Sequence, residues 1–230
     1  MPSLSIILPM LNEHSGLAAR LERLAPLRGQ GVELIAVDGG SSDASMAAAL
    51  PFVDLVLTSP RGRGKQMNRG ATEARGDVLL FLHADSILPT DALTALDAAF
   101  ADGTEIWGRF DVEIQGRHPL LPMVARLMNW RSRLTGICTG DQAMFVRRDA
   151  FEAVGGFPDI ALMEDIALSK RLKALKAPVC LPQKVITSGR KWDEQGFFKT
   201  VLLMWTLRAR FWLGAHPDDL ARAYGYRPHD

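Results

Sequence analysis

Apolar positions cluster along this chain in short runs separated by polar turns, and the runs have two periods. LSIILPM (4–10), ELIAV (33–37), VDLVLTS (53–59) and DVLLFLHA (77–84) are nearly continuous, as strands covered on both faces are. Between them, SGLAARLERLAPLR (15–28) repeats Leu17, Leu21 and Leu24 at helical spacing, and LPTDALTALDAAFAD (88–102) is amphipathic. Ser15, Asp43 and Thr90 are the expected caps of the helices that follow them. RGRGKQM (61–67) reads as a glycine-rich basic loop running into a helix that Gly76-Asp77 ends. Strand and helix alternate through the first hundred residues, which predicts an α/β chain with a mostly parallel central sheet and helices on both faces.

The second half is patterned differently. IWGRFDVEI (106–114) alternates like a strand with one wet face, and LLPMVARLMNWRSRL (120–134) is helical. DQAMFVRR (141–148) predicts a strand and DAFEAVGGF a short helix ended by glycines. IALSKRLKAL (166–175) predicts a helix pinned by Ile166, Leu168, Leu172 and Leu175. No repeat or linker divides the chain, so one domain is expected. Its parts cover about 1–105, about 106–190 and a helical segment 191–230.

Composition narrows the function classes. A net charge of +1 gives no electrostatic basis for holding nucleic acid. Cys138 and Cys180 form no CxxC pattern, which excludes a cysteine zinc site and suits a reducing cytoplasm. MPSLSIILPMLNE lacks the basic start of a signal peptide and reads as a strand. GFFKTVLLMWTLRARFWLG (196–214) is interrupted by Lys199, Arg208 and Arg210, so it cannot span a bilayer. With Trp205 and Trp212 it could lie on a membrane face, the inner one for a cytoplasmic protein, and core packing or a homodimer contact explains the aromatics equally well.

Carboxylates stand at the ends of these runs. Asp38 follows ELIAV and Asp85 follows the most apolar strand, where open α/β sheets bind ligands. DGGSSD is also a plain turn sequence, and a lone Asp after a strand is often a cap. RGRGKQ lacks the spacing of a Walker A loop, although a basic loop at a helix start can bind a diphosphate through its N–H groups. Asp85 suits Mg²⁺ or Mn²⁺, which take oxygen ligands from one or two carboxylates plus phosphates. Glu164-Asp165 opens a helix, where the macrodipole alone accounts for them; the functional reading makes one a general base.

The order PMLNE, VDGGSSD, GRGKQMNRGA, LLFLHAD, TGDQAMFVRRDAFEAVGGF and LMEDIALSKRL resembles the family-2 nucleotide-sugar glycosyltransferases of the GT-A fold, from about residue 4 to 175. The resemblance implies inverting transfer of a sugar from a UDP- or GDP-linked donor to a hydroxyl acceptor that could be lipid-linked, assisted by Mn²⁺ or Mg²⁺. It implies that Pro9, Asn12 and Glu13 line the nucleotide pocket and that Asp38 contacts the base. It places Asp85 on the cation and diphosphate, with Arg61, Arg63 and Lys65 neutralising the leaving group. Gly140, Asp141 and Gln142 match the segment beside the sugar and acceptor. Asp165 matches the base, with Glu164 beside it. The family's first D-x-D aspartate is His83 here, which could ligate Mn²⁺, donate to a phosphate, or merely pack. Arg190 and Lys191 could fold back over the diphosphate. A nucleotidyltransferase would want a glycine-rich loop where PMLNE stands; a binding module without catalysis is the other rival.

Overall fold

Four parallel strands form one half of the central sheet in the computed structural model, which describes residues 3–226. They are β1 (Leu4–Met10), β2 (Glu33–Asp38), β3 (Leu55–Thr58) and β4 (Val78–Phe81). Every residue of β1 is buried, so its continuous apolar run follows from being covered on both sides. Three further strands, β5 (Trp107–Gln115), β6 (Met144–Arg147) and β7 (Val179–Ser188), complete the order β3-β2-β1-β4-β6-β5-β7. β6 runs antiparallel to both of its neighbours, and β5 and β7 are parallel.

The helices divide between two faces. On one lie α1 (His14–Arg28), α2 (Ser45–Ala49) and α4 (Ala92–Phe100), packed on Ile6 and Leu8. On the other lie α3 (Arg63–Glu73), α6 (Arg148–Ala153) and α7 (Glu164–Leu175), packed on Ile7, Ile35 and Phe81. Alternate residues of β1 therefore feed opposite cores, the period-two consequence of the pleat. Gly70 lets α3 settle close on the sheet, because a Cβ there would stand 2.5 Å from Ile7 Cγ2. α5 (Leu121–Thr135), α8 (Arg190–Gln195), α9 (Phe197–Trp212) and α10 (Pro217–Tyr224) complete the set.

Several expectations need correction. Arg63 and Lys65 belong to the first turn of α3; the basic loop ends at Gly62. Ser15 and Gly16 leave helical geometry, with φ at Gly16 of 76°, so the regular turns begin beyond Ser15 and it caps nothing. Thr90 does not cap α4, where Asp91 takes the cap position without a side-chain bond. Asp43 does serve the next helix, its Oδ1 accepting from the Ser45 N–H at 3.0 Å. The strand expected over 141–148 is confined to Met144–Arg147, because Gly140–Gln142 forms a 3₁₀ turn.

Candidate active site

Strand order reverses between β2-β1 and β4, and the crevice outside the carboxyl ends of β1 and β4 is where such sheets take ligands. A cavity of about 260 Å³ opens there. Six residues singled out in the sequence line it: Pro9 near the end of β1 and Glu13 beyond it, His83 and Asp85 beyond β4, Arg63 on α3, and Glu164 at the start of α7. Four chain segments distant in sequence thus bring their polar groups to one wall.

Glu13 is the most crowded of these groups. Burial and the nearby charge of Asp85 push its carboxyl above the ordinary range, while Arg190 and Arg20 work against that. Arg190 Nη2 lies 3.7 Å from one Glu13 oxygen, which ties the start of α8 to the β1 loop. Asp85 has few ties, its one described side-chain bond being a 3.4 Å contact from the Ser86 hydroxyl. Arg63 Nη1 stands 3.7 Å from Glu164 Oε1. Glu164 is buried, which raises its pKa against the opposing charge of Arg63.

The remaining expected residues stand behind or beside that wall. Asp165 Oδ2 accepts from the Gly140 N–H at 2.7 Å, and Oδ1 accepts from the Ile166 N–H at 2.7 Å. One carboxylate therefore joins the start of α7 to the 3₁₀ turn. Asp141 Oδ1 lies 3.5 Å from His83 Nδ1. The other imidazole nitrogen is buried without a hydrogen bond and faces Gly140, where a Cβ would approach it to 2.4 Å. Gly140 is thus the residue that lets the imidazole close on the turn.

Gln142 is fully buried; its Oε1 accepts from the Thr139 N–H at 3.2 Å and its Nε2 donates to Asn129 Oδ1 at 3.3 Å. It braces the turn and lies outside the cavity lining. Asn12 takes a positive φ of 54°, and its Oδ1 accepts from the Ser42 N–H at 2.8 Å, tying the β1 and β2 loops together. Asp38 accepts from the Gly40 and Ser41 N–H groups at 2.9 Å each, as the turn reading expects. Lys65 is drawn to Asp159 at 3.3 Å, away from the cavity wall.

The sequence reading missed the two aromatic residues of the lining. Tyr224 and Tyr226 reach the cavity because α10 returns to it, anchored by buried Leu220 against Leu207, Met163 and Ile166. Lys191 Nζ lies 2.9 Å from the Tyr224 ring centroid, and Arg61 lies 5.1 Å from that of Tyr226. The one local signal was the His216-Pro217 start, where His216 Nδ1 accepts from the Asp218 N–H at 3.3 Å.

A divalent cation has partial provision here. No cluster of three His, Cys, Asp or Glu side chains suited to a metal occurs among the described residues. Asp85 faces the cavity with almost no internal bonds, beside the crowded carboxyl of Glu13. That suits a hard cation sharing one or two carboxylates with a ligand's phosphates. His83 is less suited as it stands, since its unbonded nitrogen is against Gly140.

This mixed sheet, with a polar cavity at the switch between β1 and β4, is the GT-A fold of nucleotide-diphosphosugar transferases. The profile of Glycosyl transferase family 2 matches residues 5–155, and the chain belongs to that family. A relative from Mycobacterium bovis, "PGL/p-HBAD biosynthesis glycosyltransferase", is 38% identical over 106 residues, covering 43% of this chain and 41% of the relative. "Undecaprenyl-phosphate 4-deoxy-4-formamido-L-arabinose transferase" of Pseudomonas fluorescens is 29% identical over 160 residues, 62% of this chain and 45% of the relative. This chain thus spans less than half the length of either. A crystal structure of the mannosyltransferase PcManGT from Pyrobaculum calidifontis, in complex with GDP-Man and Mn²⁺, superposes with a TM-score of 0.65. It is 20% identical, and the match covers 98% of this chain and 69% of that one.

Proposed function

We propose that this chain is an inverting glycosyltransferase that moves a sugar from a UDP- or GDP-linked donor to an acceptor hydroxyl. The observation that carries the reading is the convergence of Glu13, Asp85 and the Arg63–Glu164 pair on one cavity, with Asp165 next to Glu164. Family membership and the GDP-Man and Mn²⁺ found with PcManGT support it.

In this reading the nucleoside lies beside Pro9, Asn12 and Asp38, and its diphosphate faces Asp85, Arg63 and the Tyr224 side. A cation held by Asp85, with His83 as the candidate second ligand, would neutralise charge on the diphosphate. Gly140 and Asp141 flank the sugar. The acceptor oxygen forms a bond to the anomeric carbon while the carbon–diphosphate bond breaks on the opposite face. The hydroxyl proton passes to Asp165, and the nucleoside diphosphate leaves with the electron pair. Arg63 meets the charge that grows on the leaving group.

The test is a panel of UDP-glucose, UDP-N-acetylglucosamine and GDP-mannose with Mn²⁺ or Mg²⁺. Release of a nucleoside diphosphate is expected. Release of inorganic diphosphate from a nucleotide triphosphate and sugar phosphate would make it a nucleotidyltransferase, and binding without turnover would make it a binding module.

Lys191 gives a pH-dependent expectation. Burial and the charge of Arg63 lower its pKa to about 8. A diphosphate nearby favours the charged ammonium, so its pKa rises on binding and protons are taken up near pH 8. Calorimetry of UDP binding in buffers of different ionisation enthalpy should show that uptake, and Lys191→Met should remove it.

A further inference from the structure

α5 and α9 meet in a shared apolar cluster, and beyond it they carry two cations with no hydrogen bond to the described residues. Val124 and Met128 of α5 share one apolar cluster with Phe197 and Val201 of α9. Farther along, Leu203 and Leu207 of α9 join Ile137, Met163 and Ile166 where α7 begins. Arg131 stands one helical turn beyond Met128, and Arg208 directly follows Leu207. Arg131 Nε and Nη2 are buried and make no hydrogen bond, and Arg208 makes no hydrogen bond or ion pair among the described residues. Burial and the charge of Arg208 depress the Arg131 pKa to about 10, with Asp165 among the groups opposing that. A buried fork of donors with nothing to hold is costly, and a second cation beside it raises the cost. An anion between them would relieve both.

What surrounds the pair is apolar and exposed. Met123, Leu127, Trp130 and Leu134 recur at helical spacing on α5, and Phe198, Leu202, Trp205 and Trp212 do the same on α9. Trp130, Trp205 and Trp212 are 63%, 68% and 78% exposed, far beyond scattered surface apolars. By helical geometry each stripe borders the side of its helix that faces the shared cluster. The two helices carry six basic residues (Arg126, Arg131, Arg133, Lys199, Arg208 and Arg210) and no acidic one. Apolar stripes with tryptophan and a uniformly basic flank match an anionic lipid surface. No helix among the described residues is long and apolar enough to cross a membrane, so the contact is lateral.

We infer that the acceptor is a membrane-borne lipid phosphate: its chain lies along the α5 and α9 stripes, its phosphate sits between Arg131 and Arg208, and its hydroxyl-bearing head reaches Asp165. This rests on the transferase reading for the role of Asp165, while the lipid site stands on its own residues.

The test measures binding of farnesyl monophosphate, farnesol and glycerol 3-phosphate, and sedimentation with phosphatidylcholine vesicles with and without phosphatidylglycerol. Farnesyl monophosphate is expected to bind at least about tenfold more tightly than either partial mimic, the scale of one charge-assisted hydrogen bond. Arg131→Met and Arg208→Met should each weaken it about tenfold or more by the same reasoning. Arg131→Met should melt no lower than the wild type, because it removes a buried charge without a partner. Sedimentation should require phosphatidylglycerol. Equal binding of farnesol, or undiminished binding by the double variant, overturns the inference. Tight glycerol 3-phosphate binding without vesicle association overturns it in favour of a small water-borne anion. UDP affinity with Mn²⁺, measured on the same preparations, separates the two readings: farnesyl phosphate binding without UDP binding keeps the lipid site and removes the transferase.

Discussion

Asp165→Asn is expected to slow sugar transfer about 10²–10⁴-fold while leaving nucleotide affinity near the wild-type value. A base acts on the acceptor proton, so its loss appears in the transfer step and not in donor binding. The substitution also has a structural cost that can be checked separately. Asp165 Oδ2 accepts from the Gly140 N–H while Oδ1 accepts from the Ile166 N–H, and an amide can offer an oxygen to only one of them. Losing a charge-assisted bond of this kind costs roughly 1–3 kcal/mol, visible as a lower Tm. Glu164→Gln should be the milder change in rate. Glu164 keeps its carboxyl above the usual range through burial, so it favours its protonated form more than a free glutamate does. The sign of its effect on stability follows: a raised carboxyl pKa withdraws stability as pH climbs through that pKa. The glutamine variant should therefore flatten the stability profile just above the ordinary glutamate range. Single-turnover kinetics with both variants decide the assignment. A larger rate loss from Glu164→Gln moves the base to Glu164.

Asp85→Ala is expected to remove the cation-dependent part of UDP or GDP binding, lowering affinity by a factor of about ten or more, the scale of one lost charge-assisted contact. The fold should survive, since the single described bond to this side chain is the 3.4 Å contact from Ser86. Calorimetry with and without Mn²⁺ reads the effect directly, and identical affinities in the four combinations would sink the assignment. A second readout needs no metal. The charge of Asp85 helps hold the Glu13 carboxyl up, so Glu13 should titrate lower in the variant, observable by NMR.

The parallel half of the fold was legible because its strands are buried on both sides, and double burial writes itself as an uninterrupted apolar run. The site was legible for a related reason. Glu13 and Asp85 follow such runs and Glu164 opens a helix, so placing the elements placed these carboxylates. What stayed hidden depends on partners distant in sequence. β7 carries Pro182 and mixed polarity, yet it pairs with β5 over Gly108–Gln115, and Pro182 falls in the register shift where pairing skips from Leu181 to Lys184. Tyr224 and Tyr226 give no local sign of facing a cavity, since their position is set by Leu220 docking against α7 and α9. Arg131 gives no local sign in the sequence that two of its donor nitrogens are buried.

The skip in β7 bears on how readily another strand could lengthen this sheet. An outer strand offers a row of open N–H and C=O groups, a template on which another chain can lengthen the sheet. β7 is ten residues long and would be a generous template. The irregularity at Pro182 interrupts it near the middle, proline supplies no donor, and Lys184 places a charge next to the break. At the opposite margin β3 manages the same hazard by brevity, with four residues. Each margin of the sheet thus carries its own obstacle to growth, and on the β7 side Ile87 already exchanges both backbone bonds with Ile186.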